Sequence, residues 1–151
     1  MHLPCIVVES DLNCVTRWSP FDNLWGGVSV PEILSSVKLR PDSVTVMAQA
    51  EPRCTTSISL ADQRQEDVFL GTELTAEHRG PCRLVVPRLY FLKSAKRVRA
   101  FEFLDLDAPG YREMNGYHLR ADPWREERYS DQETYAMQWM RAEAARRLRG
   151  R

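Results

Sequence analysis

The sequence lacks any apolar run near the roughly 18 residues that a membrane-spanning helix requires. It also lacks an excess of one charge, because 21 Lys and Arg balance 21 Asp and Glu in 151 residues. These absences argue against a membrane protein, a generally basic nucleic-acid-coating protein and an acidic disordered tail. The remaining composition, with 43% hydrophobic residues, is typical of one soluble globular domain.

Zinc-binding patterns are absent as well. The 4 cysteines form no C-x-x-C pair, and the 3 histidines show no H-x-x-x-H or similar spacing. The N-terminus has no basic segment followed by an apolar one, so no secretory signal peptide is predicted. We therefore expect a cytoplasmic protein whose cysteines are free thiols. An apolar strand begins within a few residues of Met1, where most domains have some lead-in, and this pattern is compatible with a missing N-terminal piece.

The hydrophobic pattern predicts more strands than helices. Strands are expected over 3–8, 44–47, 55–60, 68–70, 82–87 and 98–104, short helices over 30–37 and 61–67, and irregular loops over 11–27 and 105–122. Because the strands do not alternate regularly with long helices, a doubly wound α/β fold is disfavoured. We predict a strand-rich α+β domain over residues 1–130.

The last part of the chain has a helical pattern instead. Tyr135, Trp139 and Met140 fall at helical spacing, and several arginines lie on the opposite side. We predict a basic amphipathic C-terminal helix that forms its own unit, residues 131–151. Such a helix is a candidate contact for a homodimer or another partner.

A basic segment between residues 76 and 100 carries seven cations against one acid, Glu77. The cations are Arg79, Arg83, Arg88, Lys93, Lys96, Arg97 and Arg99. Together with backbone N–H groups at turns, such side chains can hold an anionic ligand. The simpler interpretation is a solvated basic edge strand. Nucleic acid is disfavoured, because Tyr90 and Phe91 form one cluster instead of a series of stacking platforms.

Cys14 is the cysteine with the most suggestive surroundings. It lies in a polar loop beside Arg17, where a thiol would be a good nucleophile or a ligand for a soft metal. A cysteine hydrolase would also need a base, for which His78 and His118 are candidates. No nucleophile elbow or papain-like context surrounds Cys14, which weakens that alternative.

Several blocks of the sequence, in order, resemble bacterial sulfite-oxidase-like molybdopterin oxidoreductases. They are NCVTRWS at 13–19 with WGGV at 25–28, HRGPCRLVVP at 78–87, YFLKSAK at 90–96, and NGYH through DPWREERY within 115–129. The match runs from about Leu3 to Tyr129, and its ordered blocks are more specific than any single motif.

The resemblance implies a mixed, strand-rich sulfite-oxidase fold that holds molybdenum on a pyranopterin dithiolene (molybdopterin). Cys14 would be the catalytic residue that supplies the one protein thiolate to the metal. His78, Arg83, Ser94 and Lys96 match the positions that hold the pterin and its phosphate. The implied chemistry is a two-electron reaction that moves an oxygen atom between substrate and molybdenum.

The resemblance also implies a small oxyanion or sulfoxide-type substrate. Because no haem motif is present, electrons would pass to or from a separate electron-transfer protein. The chain departs from the family pattern at Asn13, Cys54 and Arg79, and it lacks the usual segment before the first matched strand. The alternative is therefore a degenerate, cofactor-free remnant that acts as a non-catalytic binding or interaction module.

Overall fold

The computed structural model of the protein describes residues 3–19, 21–71 and 82–149. Its strands are β1 Cys5–Ser10, β2 Asn23–Ser29, β3 Thr45–Ala50, β4 Cys54–Ser59, β5 Phe69–Gly71, β6 Arg83–Val85 and β7 Val98–Leu104. Its α-helices are α1 Val30–Ser35, α2 Leu60–Gln63, α3 Tyr111–Met114 and α4 Tyr135–Arg149, and short 3₁₀ turns cover Phe91–Lys93, Pro123–Arg125 and Ser130–Gln132. The predicted strand-rich α+β class is confirmed.

The strands form two antiparallel sheets, of order β1-β2-β5-β6 and β4-β3-β7. Both contribute to one hydrophobic core, in which Val46 and Ile58 of one sheet belong to the same cluster as Leu84 of the other. Val30 of α1 and Val86 complete the centre of this cluster. The sheets are thus fixed to each other by shared burial of apolar surface.

Strand β2 corrects the prediction of an irregular loop over 11–27. It lies between β1 and β5, and Gly27 pairs with Gly71. A Cβ at Gly27 would overlap the carbonyl oxygen of Leu70, so the close approach of β2 to β5 requires glycine there. Because glycine contributes no side chain to an alternating pattern, the strand was not recognisable in the sequence. The other predicted loop, 105–122, contains the single turn of α3.

A buried ion pair joins the 3₁₀ turn Phe91–Lys93 to α3, and both of its members are hydrogen-bonded to β4. Lys93 and Glu113 are both 0% exposed, and the Lys93 Nζ donates to a Glu113 carboxylate oxygen at 2.5 Å and to the Ser57 carbonyl at 2.7 Å. The Thr56 hydroxyl donates to the same Glu113 oxygen at 2.8 Å. Lys93 therefore has a structural partner inside the protein, although the sequence placed it among the cations of a basic segment.

Helix α4 packs against this same region. Ala144 is buried among Met47, Leu104 and Ala108. The Arg141 guanidinium pairs with Glu133 and also donates to main-chain carbonyls. The division into residues 1–130 and 131–151, and a homodimer formed through this helix, stay predictions. Across the ranges that the structure describes, no helix has the length and hydropathy of a membrane span.

Candidate functional site

The Cys14 loop is a tight turn whose ends are tied by main-chain hydrogen bonds. The Cys14 N–H donates to the Trp18 carbonyl at 3.0 Å, and the Arg17 N–H donates to the Cys14 carbonyl at 3.1 Å. Arg17 has a left-handed backbone with φ 68°, which lets the chain reverse direction there. The Cys14 Sγ lies 3.0 Å from the Thr16 hydroxyl oxygen. The thiol is half-buried at the surface of the fold.

Cys14 lines an open cleft with a volume of about 520 Å³. Three segments that are far apart in the chain form its walls. The lining residues are Asn13, Cys14, Arg17, Ser19, Tyr90, Pro123, Trp124, Glu126 and Arg128. Two cations and one carboxylate therefore share the cleft with the thiol, and the indole of Trp124 at its edge is 86% exposed.

Main-chain hydrogen bonds hold the three segments together. The Phe91 N–H donates to the Asn13 carbonyl at 2.8 Å, which attaches the start of the cysteine loop to the 3₁₀ turn Phe91–Lys93. The Tyr90 N–H donates to the Ala121 carbonyl at 2.8 Å, which attaches the third segment. The cleft is therefore assembled by tertiary contacts and not by any local motif.

Arg128 makes the most contacts across the cleft. Its Nη1 donates to the Val15 carbonyl at 2.6 Å and lies 3.4 Å from the Cys14 carbonyl. Its guanidinium carbon lies 4.7 Å from the Tyr90 ring centroid, and its Nε donates to Glu126 at 2.7 Å. Arg128 was not among the predicted site residues. In the sequence, the only indication that Arg128 belongs to the site was its position in the DPWREERY block.

The polar groups opposite Cys14 have defined protonation states at neutral pH. Burial raises the pKa of Tyr90, Arg128 opposes this shift, and Glu126 adds to it. The hydrogen bond from Arg128 lowers the pKa of Glu126. The Tyr90 hydroxyl is buried and interacts with the Glu126 carboxylate. The cleft therefore offers a neutral phenol donor beside an ionised carboxylate and two guanidinium groups.

Arg83 is a buried cation for which the described residues provide no acidic partner. It is 4% exposed on β6, and its guanidinium carbon lies 3.9 Å from the Phe91 ring centroid and 6.0 Å from that of Trp25. Burial lowers its pKa to about 10. Among residues 3–19, 21–71 and 82–149, no carboxylate pairs with it and its Nε has no hydrogen-bond partner. A buried guanidinium whose Nε has no partner among the described residues favours an anionic ligand.

The other predicted pterin-binding residues have different surroundings. The Ser94 hydroxyl is buried and accepts a hydrogen bond from the Val86 N–H at 3.1 Å. Lys96 is exposed and forms an antiparallel bridge with Arg83, so these two predicted residues are neighbours. Like Arg83, neither of them lines the Cys14 cleft. His78 and Arg79 lie outside the described residues.

His118 has a structural environment. It is 1% exposed, and its Nδ1 accepts hydrogen bonds from the N–H groups of Arg120 and Ala121, each at 3.1 Å. Burial lowers its pKa, so the imidazole is neutral at pH 7. Because His118 does not line the cleft, it is not placed to act as a base for Cys14. The hydrolase alternative loses one of its two candidate bases.

The buried His118 predicts a loss of stability in mild acid. A histidine whose pKa is lowered by folding takes up its proton first in the unfolded state, so stability falls as the pH drops below about 6.5. Glu127 and Glu133 partly oppose the shift, whereas Lys93 and Arg141 increase it. We expect wild type to lose up to about 1.4 kcal/mol per pH unit relative to His118→Gln between pH 7 and 5. Urea unfolding at several pH values measures this, and parallel curves for the two proteins would contradict it.

No group of three or more His, Cys, Asp and Glu side chains in the described part of the chain could hold a metal ion. A metal bound at Cys14 would therefore need donor atoms that its own ligand brings. This condition distinguishes the cleft from a site built wholly of side chains, such as a structural zinc site.

Comparison with known proteins gives a consistent result. Residues 1–112 match the family model described as oxidoreductase molybdopterin binding domain. Over 127 residues the chain is 40% identical to the "uncharacterized oxidoreductase YuiH" of Bacillus subtilis (strain 168), which covers 81% of this chain and 64% of that protein. The fold is similar to the sulfane dehydrogenase SoxCD from Paracoccus pantotrophus, with a TM-score of 0.61 at 18% identity over 76% of this chain and 34% of that one. The chain thus spans less than two thirds of the length of either protein.

Proposed function

Since the chain belongs to the oxidoreductase molybdopterin binding domain family, we propose that it is a molybdenum-dependent oxidoreductase domain of sulfite-oxidase type. The family and the molybdopterin-binding fold that the sequence blocks predicted are confirmed. The proposal of a molybdenum centre of sulfite-oxidase type rests on one observation. The Cys14 thiol lines a cleft of about 520 Å³ together with two arginines.

The residues present fit a molybdenum–pterin group. Cys14 offers one soft sulfur donor, as a metal that already has dithiolene sulfur ligands would require. The described residues supply no further cluster of metal ligands, and the dithiolene would supply those donors itself. The buried guanidinium of Arg83 suits the phosphate of the pterin, since its Nε has no partner in the described part of the protein.

Each side chain has a proposed task in the mechanism. Cys14 is the thiolate ligand and the catalytic residue, while Arg83 and Lys96 hold the phosphate together with His78 and Ser94. When bound, the molybdenum centre supplies two-electron chemistry with transfer of an oxygen atom. The remaining polar groups of the cleft would bind the substrate.

The cleft suits a small oxyanion or sulfoxide-type substrate. Arg17 and Arg128 line it and can stabilise negative charge on a substrate oxygen. The neutral Tyr90 hydroxyl also lines the cleft and is a second candidate donor to the same oxygen. We propose that a separate electron-transfer protein in the cytoplasm exchanges electrons with the centre.

Metal analysis tests this function. In a host that makes molybdopterin, we expect purified wild type to contain about one molybdenum per chain. X-ray absorption should find one fewer sulfur neighbour of molybdenum in Cys14→Ser than in wild type, because the protein thiolate has been removed. The matched control is Cys5→Ser, whose exposed thiol lies outside the cleft. Wild type without molybdenum would support the cofactor-free remnant, and an unchanged sulfur count in Cys14→Ser would exclude Cys14 as the ligand.

A further inference from the structure

We propose that Arg128 is a positioning residue that fixes the cysteine loop, residues 13–18, so that the Cys14 thiol faces the cleft. The inference rests on the proposed function only in taking that thiol as the metal ligand. Arg128 reaches the loop from 114 positions further along the chain, so its contact is wholly tertiary.

The first step of the argument is the carbonyl group of Val15. The Val15 side chain is buried in a cluster with Tyr90, Leu92 and Ala121, so this part of the loop lies against the protein body. Its carbonyl oxygen accepts the 2.6 Å hydrogen bond from Arg128. A partly buried carbonyl that loses a charged donor is costly to leave unpaired, and we expect the loop to move so that water can reach it.

The second step is that the loop's own hydrogen bonds do not anchor it. The bonds from Cys14 to Trp18 and from Arg17 to Cys14 both lie within the turn. They fix its shape but leave its orientation to contacts with the rest of the protein. The Phe91 N–H holds one end of the loop through the Asn13 carbonyl, and Arg128 holds the middle, beside the thiol.

The third step is that Arg128 itself is held in place. Its side chain is 14% exposed, lies against the Tyr90 ring and is paired through Nε with Glu126. These contacts leave Nη1 directed at the loop carbonyls. A planar guanidinium can make all these contacts together because its donors lie on three nitrogens, whereas a lysine ammonium has only one nitrogen.

Hydrogen exchange of the full-length protein tests the proposal directly. In Arg128→Met, we expect amides of residues 13–18 to exchange at least about tenfold faster than in wild type, which corresponds to about 1.4 kcal/mol of lost protection. Amides of the central strand β3 should keep their wild-type rates. Arg128→Lys should recover part of the protection, because its ammonium can still donate to one carbonyl.

The matched control is Arg125→Met, which removes an exposed arginine 3.7 Å from its partner Glu127 in the same segment. It should leave the exchange of residues 13–18 unchanged. The proposal is overturned if Arg128→Met behaves like this control, or if exchange rises equally in β3, since that would indicate general destabilisation. It is also overturned if Arg128→Lys recovers no protection, because packing on Tyr90 would then account for the effect.

A second readout connects the loop to the metal. In molybdenum-loaded protein, Arg128→Met should shift or weaken the sulfur-to-metal absorption, while molybdenum per chain stays near the wild-type value. An unchanged spectrum in the presence of faster loop exchange would overturn the link to the thiol. If wild type contains no molybdenum, the proposed function fails, but the exchange experiment still decides whether Arg128 fixes the loop.

Discussion

Replacement of Lys93 by methionine should lower the free energy of unfolding by about 3–5 kcal/mol. Lys93 and Glu113 are fully buried, and removal of the ammonium leaves a carboxylate in the interior without its charged partner. One Glu113 oxygen already has no hydrogen-bond partner within the described residues, so little else there can compensate. Urea unfolding followed by circular dichroism measures the change.

Two further variants make this prediction specific. Arg99→Met removes the cation of an exposed pair with Glu51 and should change the free energy of unfolding much less than Lys93→Met does, because water screens an exposed pair. The double variant Lys93→Met/Glu113→Leu should be more stable than Lys93→Met alone, because it leaves no unpaired charge behind. A Lys93→Met variant no less stable than Arg99→Met would contradict the assignment of a buried ion pair.

Replacement of Arg83 by methionine should have the opposite effect on stability and a large effect on the cofactor. In protein made without molybdopterin, we expect a gain of about 1–3 kcal/mol, because a buried guanidinium with no carboxylate partner among the described residues is replaced by an apolar side chain of similar length. Part of the gain is offset by the lost contact with the Phe91 ring. In protein made with molybdopterin, bound molybdenum should fall at least about tenfold, since the phosphate loses its buried cation.

Arg88→Met is the matched control for Arg83→Met. Arg88 is half exposed and paired with Asp67 at 2.9 Å, and its loss should change stability by at most about 1 kcal/mol and leave the cofactor bound. Thermal unfolding and metal analysis of the same samples separate the two effects. A destabilised Arg83→Met protein that keeps its molybdenum would show that this guanidinium is a packing element and not an anion site.

The sequence was sufficient to predict strands whose side chains alternate or are continuously apolar. β3 and β7 were found because their branched and aromatic residues fill one core. β2 was missed because Gly27 is required by the close approach of the β2 backbone to β5, and that contact leaves no pattern in the neighbouring sequence. The helix predicted from residue 131 begins at Tyr135, since residues 130–132 form a separate 3₁₀ turn.

The candidate site was only partly predictable, for a related reason. The chemistry of Cys14 and the cationic character of Arg83 follow from residue type and from the matched blocks. The burial of Lys93 does not, because Lys93 and Lys96 stand in one basic run yet one is fully buried and the other exposed. Arg128 resembles an ordinary surface charge in sequence, and only the folded chain brings it to the cysteine loop.

The assembly of the cleft from residues 13–19, Tyr90 and residues 123–128 has a consequence for biosynthesis. A nascent chain that carries Cys14 has no complete pocket until the ribosome has translated residue 128 and both later segments have docked. If the cofactor binds in this cleft as proposed, its insertion belongs to a late stage of maturation, after these segments have docked and not while the polypeptide is emerging. Any chaperone that delivers the group would have to recognise a nearly finished protein.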